Sequence, residues 1–99
     1  MSEILRRKIG GIILSNELDV DMKAKELYKI YQQLSEEKKR LFCQELSMMY
    51  KRLFISYVLA TNPLLVVSSK DDEMHIAENL VPVIQVLVSK YNLPMDINL

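Results

Sequence analysis

The chain reads as all-α, an antiparallel four-helix bundle, and three observations predict it. Apolar residues recur at i, i+3, i+4 and i+7 in four stretches. Side chains that cap helices stand ahead of each stretch. The 99 residues contain only 2 Gly and 3 Pro, so few positions interrupt a helix. Short connections between the stretches favour antiparallel neighbours, and the whole of 1–99 reads as a single domain.

Ser2 caps a first helix, with Glu3 well placed against the helix dipole. Ile4, Leu5, Ile9, Ile12 and Ile13 share one face. Gly10 and Gly11 weaken this helix by about 1 kcal/mol each relative to Ala. A hinge or a close helix contact would account for them, as would a tolerated pair in a packed helix. Ser15 and Asn16 break the pattern. Asp19 or Asp21 caps the second helix, whose stripe is Leu27, Ile30, Tyr31 and Leu34. Ser35 then offers a new cap, with Glu36 and Glu37 behind it. A tight turn there is favoured over a continuous helix, because a bundle needs antiparallel neighbours. The third helix is expected from Ser35 to about Thr61, burying Phe42, Leu46, Met49, Leu53 and Tyr57. Asn62-Pro63 ends it. Leu64 to Val67 reads as a packed loop, and Ser68 or Ser69 as the cap of the last helix. Met74, Ala77, Leu80, Val81, Ile84, Leu87, Val88 and Tyr91 form the last stripe. Pro82 within it predicts a kink or break near Val81. Asn92 and Pro94 end that helix.

Composition narrows the function. Net charge is zero, which leaves no electrostatic footprint for nucleic acid. The charge is nonetheless divided: residues 1–61 carry 11 basic and 8 acidic side chains, residues 62–99 carry 2 and 5. Cys43 is the single cysteine and cannot form an intrachain disulfide, which points to a reducing cytoplasm. No apolar run approaches the roughly 20 residues of a spanning helix, and no signal peptide is expected.

Catalytic patterns are scarce: no glycine-rich phosphate loop, nucleophile elbow or zinc knuckle appears, so no enzyme activity and no cofactor is expected. Asp71, His75 and Glu78 are spaced i, i+4, i+7, which puts an imidazole and two carboxylates on one helical face. No second ligand cluster completes a metal shell, and the spacing reads as a solvated helix start. Cys43 follows Lys39 and Arg40, cations that could activate a thiol; it reads instead as a small, half-buried hydrophobe. Arg6-Arg7-Lys8, Lys38-Lys39-Arg40 and Lys51-Arg52 read as solvated faces, with contact to a membrane surface as an accessory role. Tyr50, Phe54 and Tyr57 read as core aromatics, and the Met48-Met49 pair as core filling or an adaptable surface.

Glu26 to Leu93 resembles the immunity proteins that protect bacteria against pediocin-like (class IIa) bacteriocins, particularly the enterocin A immunity group. The similarity lies in Leu27, Ile30, Tyr31 and Leu34, then Ala60-Thr61-Asn62, then Ser68, Glu73, Ile76, Asn79, Leu80 and Ile84, and finally Asn92-Leu93. Pro82 and the lack of a long charged tail depart from it. The resemblance implies a cytosolic four-helix bundle that acts on a protein partner, the membrane sugar permease that serves as receptor, once bacteriocin has engaged it. It also implies that recognition lies in the last helix and tail, at Asp71, Asp72, His75, Glu78, Lys90, Asn92, Met95, Asp96 and Leu99. The rival expectation is a small helical adaptor, such as a secretion chaperone or phage-type inhibitor. That reading predicts an exposed apolar patch or an obligate dimer.

Overall fold

The computed structural model describes residues 2–62 and 72–98, and these form four helices without a strand among them. They are α1 (Glu3–Ile13), α2 (Val20–Gln32), α3 (Glu36–Thr61) and α4 (Asp72–Ser89). The fold is the expected all-α antiparallel bundle.

The caps explain the boundaries. The Ser2 hydroxyl accepts from the Leu5 N–H at 3.2 Å, and the Ser35 hydroxyl from the Lys38 N–H at 3.3 Å. Asp19 rather than Asp21 caps α2, accepting from the Met22 N–H at 2.8 Å. Each bond satisfies an amide that the helix start leaves without an intrahelical partner. The junction of α2 and α3 is a tight turn: Gln33 ends one helix, Ser35 caps the next, and only Leu34 stands between. The expected loop at Leu64–Val67 and the caps Ser68 and Ser69 lie outside the described residues.

The core centres on α4. Leu80, Val81, Val83, Ile84 and Leu87 all have no exposed surface, and with Ala77 they bury most of the helix circumference. The helix meets all three others. Phe42, Leu46 and Leu53 of α3, Leu27 of α2 and Ile9 and Ile13 of α1 close around it. Fully burying an aliphatic or aromatic side chain of this size contributes about 1.5–3 kcal/mol. Of the kink or break expected at Pro82, the break does not occur: α4 runs through it as one helix. The proline removes a single amide donor, and burial of the neighbouring residues on both sides holds the helix together.

Two features set up the surface. First, α1 packs on α2 and α4, but no Cα of α1 comes within 8 Å of a Cα of α3. Second, α3 outruns its packing. Its 26 residues span about 39 Å, close to the 44 Å long axis of the molecule. Its buried residues stop at Leu53. Beyond that point Ile55, Val58 and Leu59 are exposed, Ile55 to 71%.

Candidate partner-binding site

The chain turns sharply at the end of α4. Asn92 has φ of 56°, the left-handed conformation that Asn tolerates better than other side chains. The Leu93 N–H then donates to the Leu87 carbonyl at 3.2 Å, six positions back, which closes the turn on the last carbonyls of α4. This reverses the tail onto the bundle. Leu93 and Met95 enter the core with 5% and 8% exposure, while Pro94 and Asp96 stay outside.

The tail is fastened by charge as well. The Lys51 ammonium donates to Asp96 at 2.8 Å, and the Asn98 N–H donates to the other Asp96 oxygen at 3.2 Å. The Lys51 bond foremost, helped by the Asn98 amide, holds the Asp96 carboxyl below its ordinary range. Nearby, Tyr91 stacks on Tyr28 with ring centres 4.5 Å apart, and Tyr28, Tyr31 and Phe42 continue the aromatic chain into α3. The end of α4 is thus joined to α2 and α3 by rings, and the tail to α3 by an ion pair.

Between the tail and α3 runs an open cleft of about 660 Å³. Lys39, Arg40, Lys51 and Met48 border it on the α3 side, Pro94 and Asp96 on the tail side. Lys39 pairs with Glu36 at 3.5 Å and lies 5.4 Å from the centre of the Tyr31 ring. Cys43 and Ser47 lie in the wall, both buried. The Ser47 hydroxyl donates to the Cys43 carbonyl at 2.7 Å. Burial pushes the Cys43 thiol upward in pKa, against a smaller opposing effect from its hydrogen bond with Tyr31. A neutral thiol is a poor nucleophile, so the cations nearby in sequence do not activate it.

The expected site residues fall into two groups. Lys90, Asn92 and Asp96 are exposed around the tail, but Met95 is not: its side chain serves the core, because the turn at Asn92 directs it inward. At the other end of α4, Asp72 and His75 are exposed and Glu78 is half-buried. His75 and Lys90 are separated by about 22 Å of helix. Asp71 and Leu99 lie outside the described residues. Among the described residues no group of three His, Cys, Asp or Glu side chains is placed to hold a metal ion.

The remaining features read from the sequence divide between core and surface. Met48 is 64% exposed while Met49 is half-buried, so the pair divides between surface and core. Tyr50 is buried, and Phe54 and Tyr57 follow it with ring centres 5.6 and 6.2 Å apart. The basic triplets are partly neutralised: Arg6 pairs with Glu45 and Arg7 with Glu3, each at 2.9 Å. The sequence reading missed Lys23, buried to 5% exposure with its ammonium 3.1 Å from the Asn79 side-chain oxygen. The available signal was phase, since Lys23 lies one turn before Leu27 on the same stripe.

No protein-family model, curated protein or solved structure matches this chain.

Proposed function

We propose that this chain is a cytosolic immunity protein against pediocin-like bacteriocins, and that it works by binding the bacteriocin-engaged membrane receptor. The observation that carries the reading is the clamped tail. Recognition of one toxin among several similar ones needs side chains held in fixed positions, since ordering them on binding would cost affinity. A tail held by the turn at Asn92, two buried side chains and an ion pair meets that need. The resemblance of Glu26 to Leu93 to the immunity proteins supports the same reading. So does the division of charge, which gives the C-terminal segment an acidic character that can orient an encounter. We place recognition at Lys90, Asn92 and Asp96, with Arg40 and Met48 across the cleft. No helix among the described residues is long and apolar enough to cross a membrane, so the proposed action on a membrane complex is by docking.

The test is protection. The chain is expressed in a bacterium sensitive to these bacteriocins, which is challenged with a panel of them. Survival against one or a few is expected, and Lys90→Glu with Arg40→Glu should abolish it while the protein stays folded by circular dichroism. Soluble protein that protects against none of the panel overturns the proposal.

One observation favours the adaptor reading: Ile55, Val58 and Leu59 are exposed on the last turns of α3. An apolar strip of this kind is used to seat a partner helix. Under that reading Ile55→Glu removes partner capture, whereas under the immunity reading it leaves protection unchanged.

A further inference from the structure

The gap between α1 and α3 is an apolar cleft of about 260 Å³, remote from the tail. Ile9 and Ile13 form one wall, Leu46 and Met49 the other, and Ile76 and Leu80 of α4 the floor. Two features keep it open. No Cα of α1 approaches α3 within 8 Å, so the helices stand beyond ordinary packing distance, about 8–10 Å between axes. Gly10 also lines the cleft, and a Cβ added there would meet nothing within 4 Å. A close helix contact, one of the accounts offered for this glycine, is therefore absent.

The one polar feature among the lining residues is the Arg6–Glu45 pair. Glu45 takes the Arg6 Nε and Nη2 donors, at 3.3 and 2.9 Å. The Nη1 donors remain, on a side chain that is 58% exposed. The carboxylate of Glu45 thus fixes the guanidinium at the rim and leaves one of its edges able to take a second acid.

From this geometry we propose that the cleft binds a medium-chain carboxylic acid, with its alkyl chain between α1 and α3 and its carboxylate on Arg6 Nη1. Size sets the chain length. An apolar cavity of about 150 Å³ holds benzene, so 260 Å³ accommodates about ten carbons. The inference rests on the cleft alone and stands or falls apart from the immunity reading.

Decanoate, titrated below its micellar concentration and followed by calorimetry and NMR, tests it on the full chain. Saturable binding at one site is expected, with shifts at Ile9, Met49 and Ile76. Decyltrimethylammonium, the same chain with the opposite charge, should bind at least tenfold more weakly. Gly10→Leu, which fills the cleft, should weaken decanoate at least tenfold, and Met49→Phe does the same from the α3 wall should α1 fail to form in the glycine variant. Gly11→Leu, on the exposed side of α1, should bind as the native chain does. Absence of saturable binding, equal affinity for the two amphiphiles, or undiminished binding by a folded cleft-filling variant overturns the proposal.

Discussion

Lys23 keeps a charge in a place where α2 otherwise buries Ala24 and Leu27. Its ammonium is satisfied by a neutral amide, Asn79, whose own N–H₂ donates to the His75 carbonyl at 2.8 Å. The aliphatic stem packs while the charged end finds a polar neighbour. The two partners are therefore unequal in what their loss costs. Asn79→Ala leaves a charge without its acceptor and should cost about 1.5–3 kcal/mol, the usual worth of a hydrogen bond to a charged group. Lys23→Met keeps the stem, removes the charge and should cost less. Urea unfolding of both variants checks the order, and a costlier Lys23→Met would refute it. The residues that escape a sequence reading are of this kind. Hydrophobic phase places Leu27 in the core without difficulty, but a lysine at a core phase is read as surface until its partner on another helix is seen. Met95 errs in the opposite direction: a residue of the tail is taken as surface until the turn at Asn92 sends it inward.

The elements themselves were legible because each boundary has a local chemical cause. Ser2, Asp19 and Ser35 cap helices by accepting, through their side-chain oxygens, from amides three residues on, with no help from the rest of the fold. Whether Pro82 breaks its helix is settled by packing rather than by a local signal. A proline inside a helix costs about 3 kcal/mol relative to Ala, and α4 withstands it by burying residues on nearly every side. Pro82→Ala restores the missing amide and should raise the urea midpoint, by up to the equivalent of about 3 kcal/mol less any packing lost from the half-buried ring. A lower midpoint would mean that the core is shaped around the proline. In α1, Gly11 is exposed with open space around its Cα. Gly11→Ala should stabilise the protein by about 0.5–1 kcal/mol, measured the same way.

Over the whole molecule, peripheral parts are tied to the bundle by ion pairs that bridge distant parts of the sequence. Arg6–Glu45 joins α1 to α3, and Lys51–Asp96 joins α3 to the tail. The hydrogen bonds from Arg6 lower the Glu45 pKa, as those from Lys51 lower that of Asp96. A carboxyl depressed in the folded state adds stability above its unfolded pKa, about 4, and loses that stability as pH falls through the lower folded value. Urea midpoints should accordingly hold at neutral pH and drop below about pH 4. Glu45→Gln with Asp96→Asn should flatten that drop, and an unchanged pH profile would show that the pairs do not contribute. Tail removal is a harsher change. Deleting residues from Leu93 onward takes Leu93 and Met95 from the core, at about 1.5–3 kcal/mol each, against a total stability of about 5–15 kcal/mol for a domain. A point change at Lys90 therefore reports on recognition more cleanly than truncation. None of these long-range ties was visible in the sequence, because charge pairing across 39 or 45 positions has no periodicity to betray it.

The lone thiol acquires a use from its position in the cleft wall. Cys43 is 4% exposed among Tyr31, Ser47 and the residues that border the cleft. An alkylating reagent reaches its sulfur freely only when this part of the bundle opens. Its labelling rate, divided by the rate in the unfolded chain, then measures how often that opening occurs. The protein carries its own stopwatch for local opening, one that a partner seated in the cleft would slow.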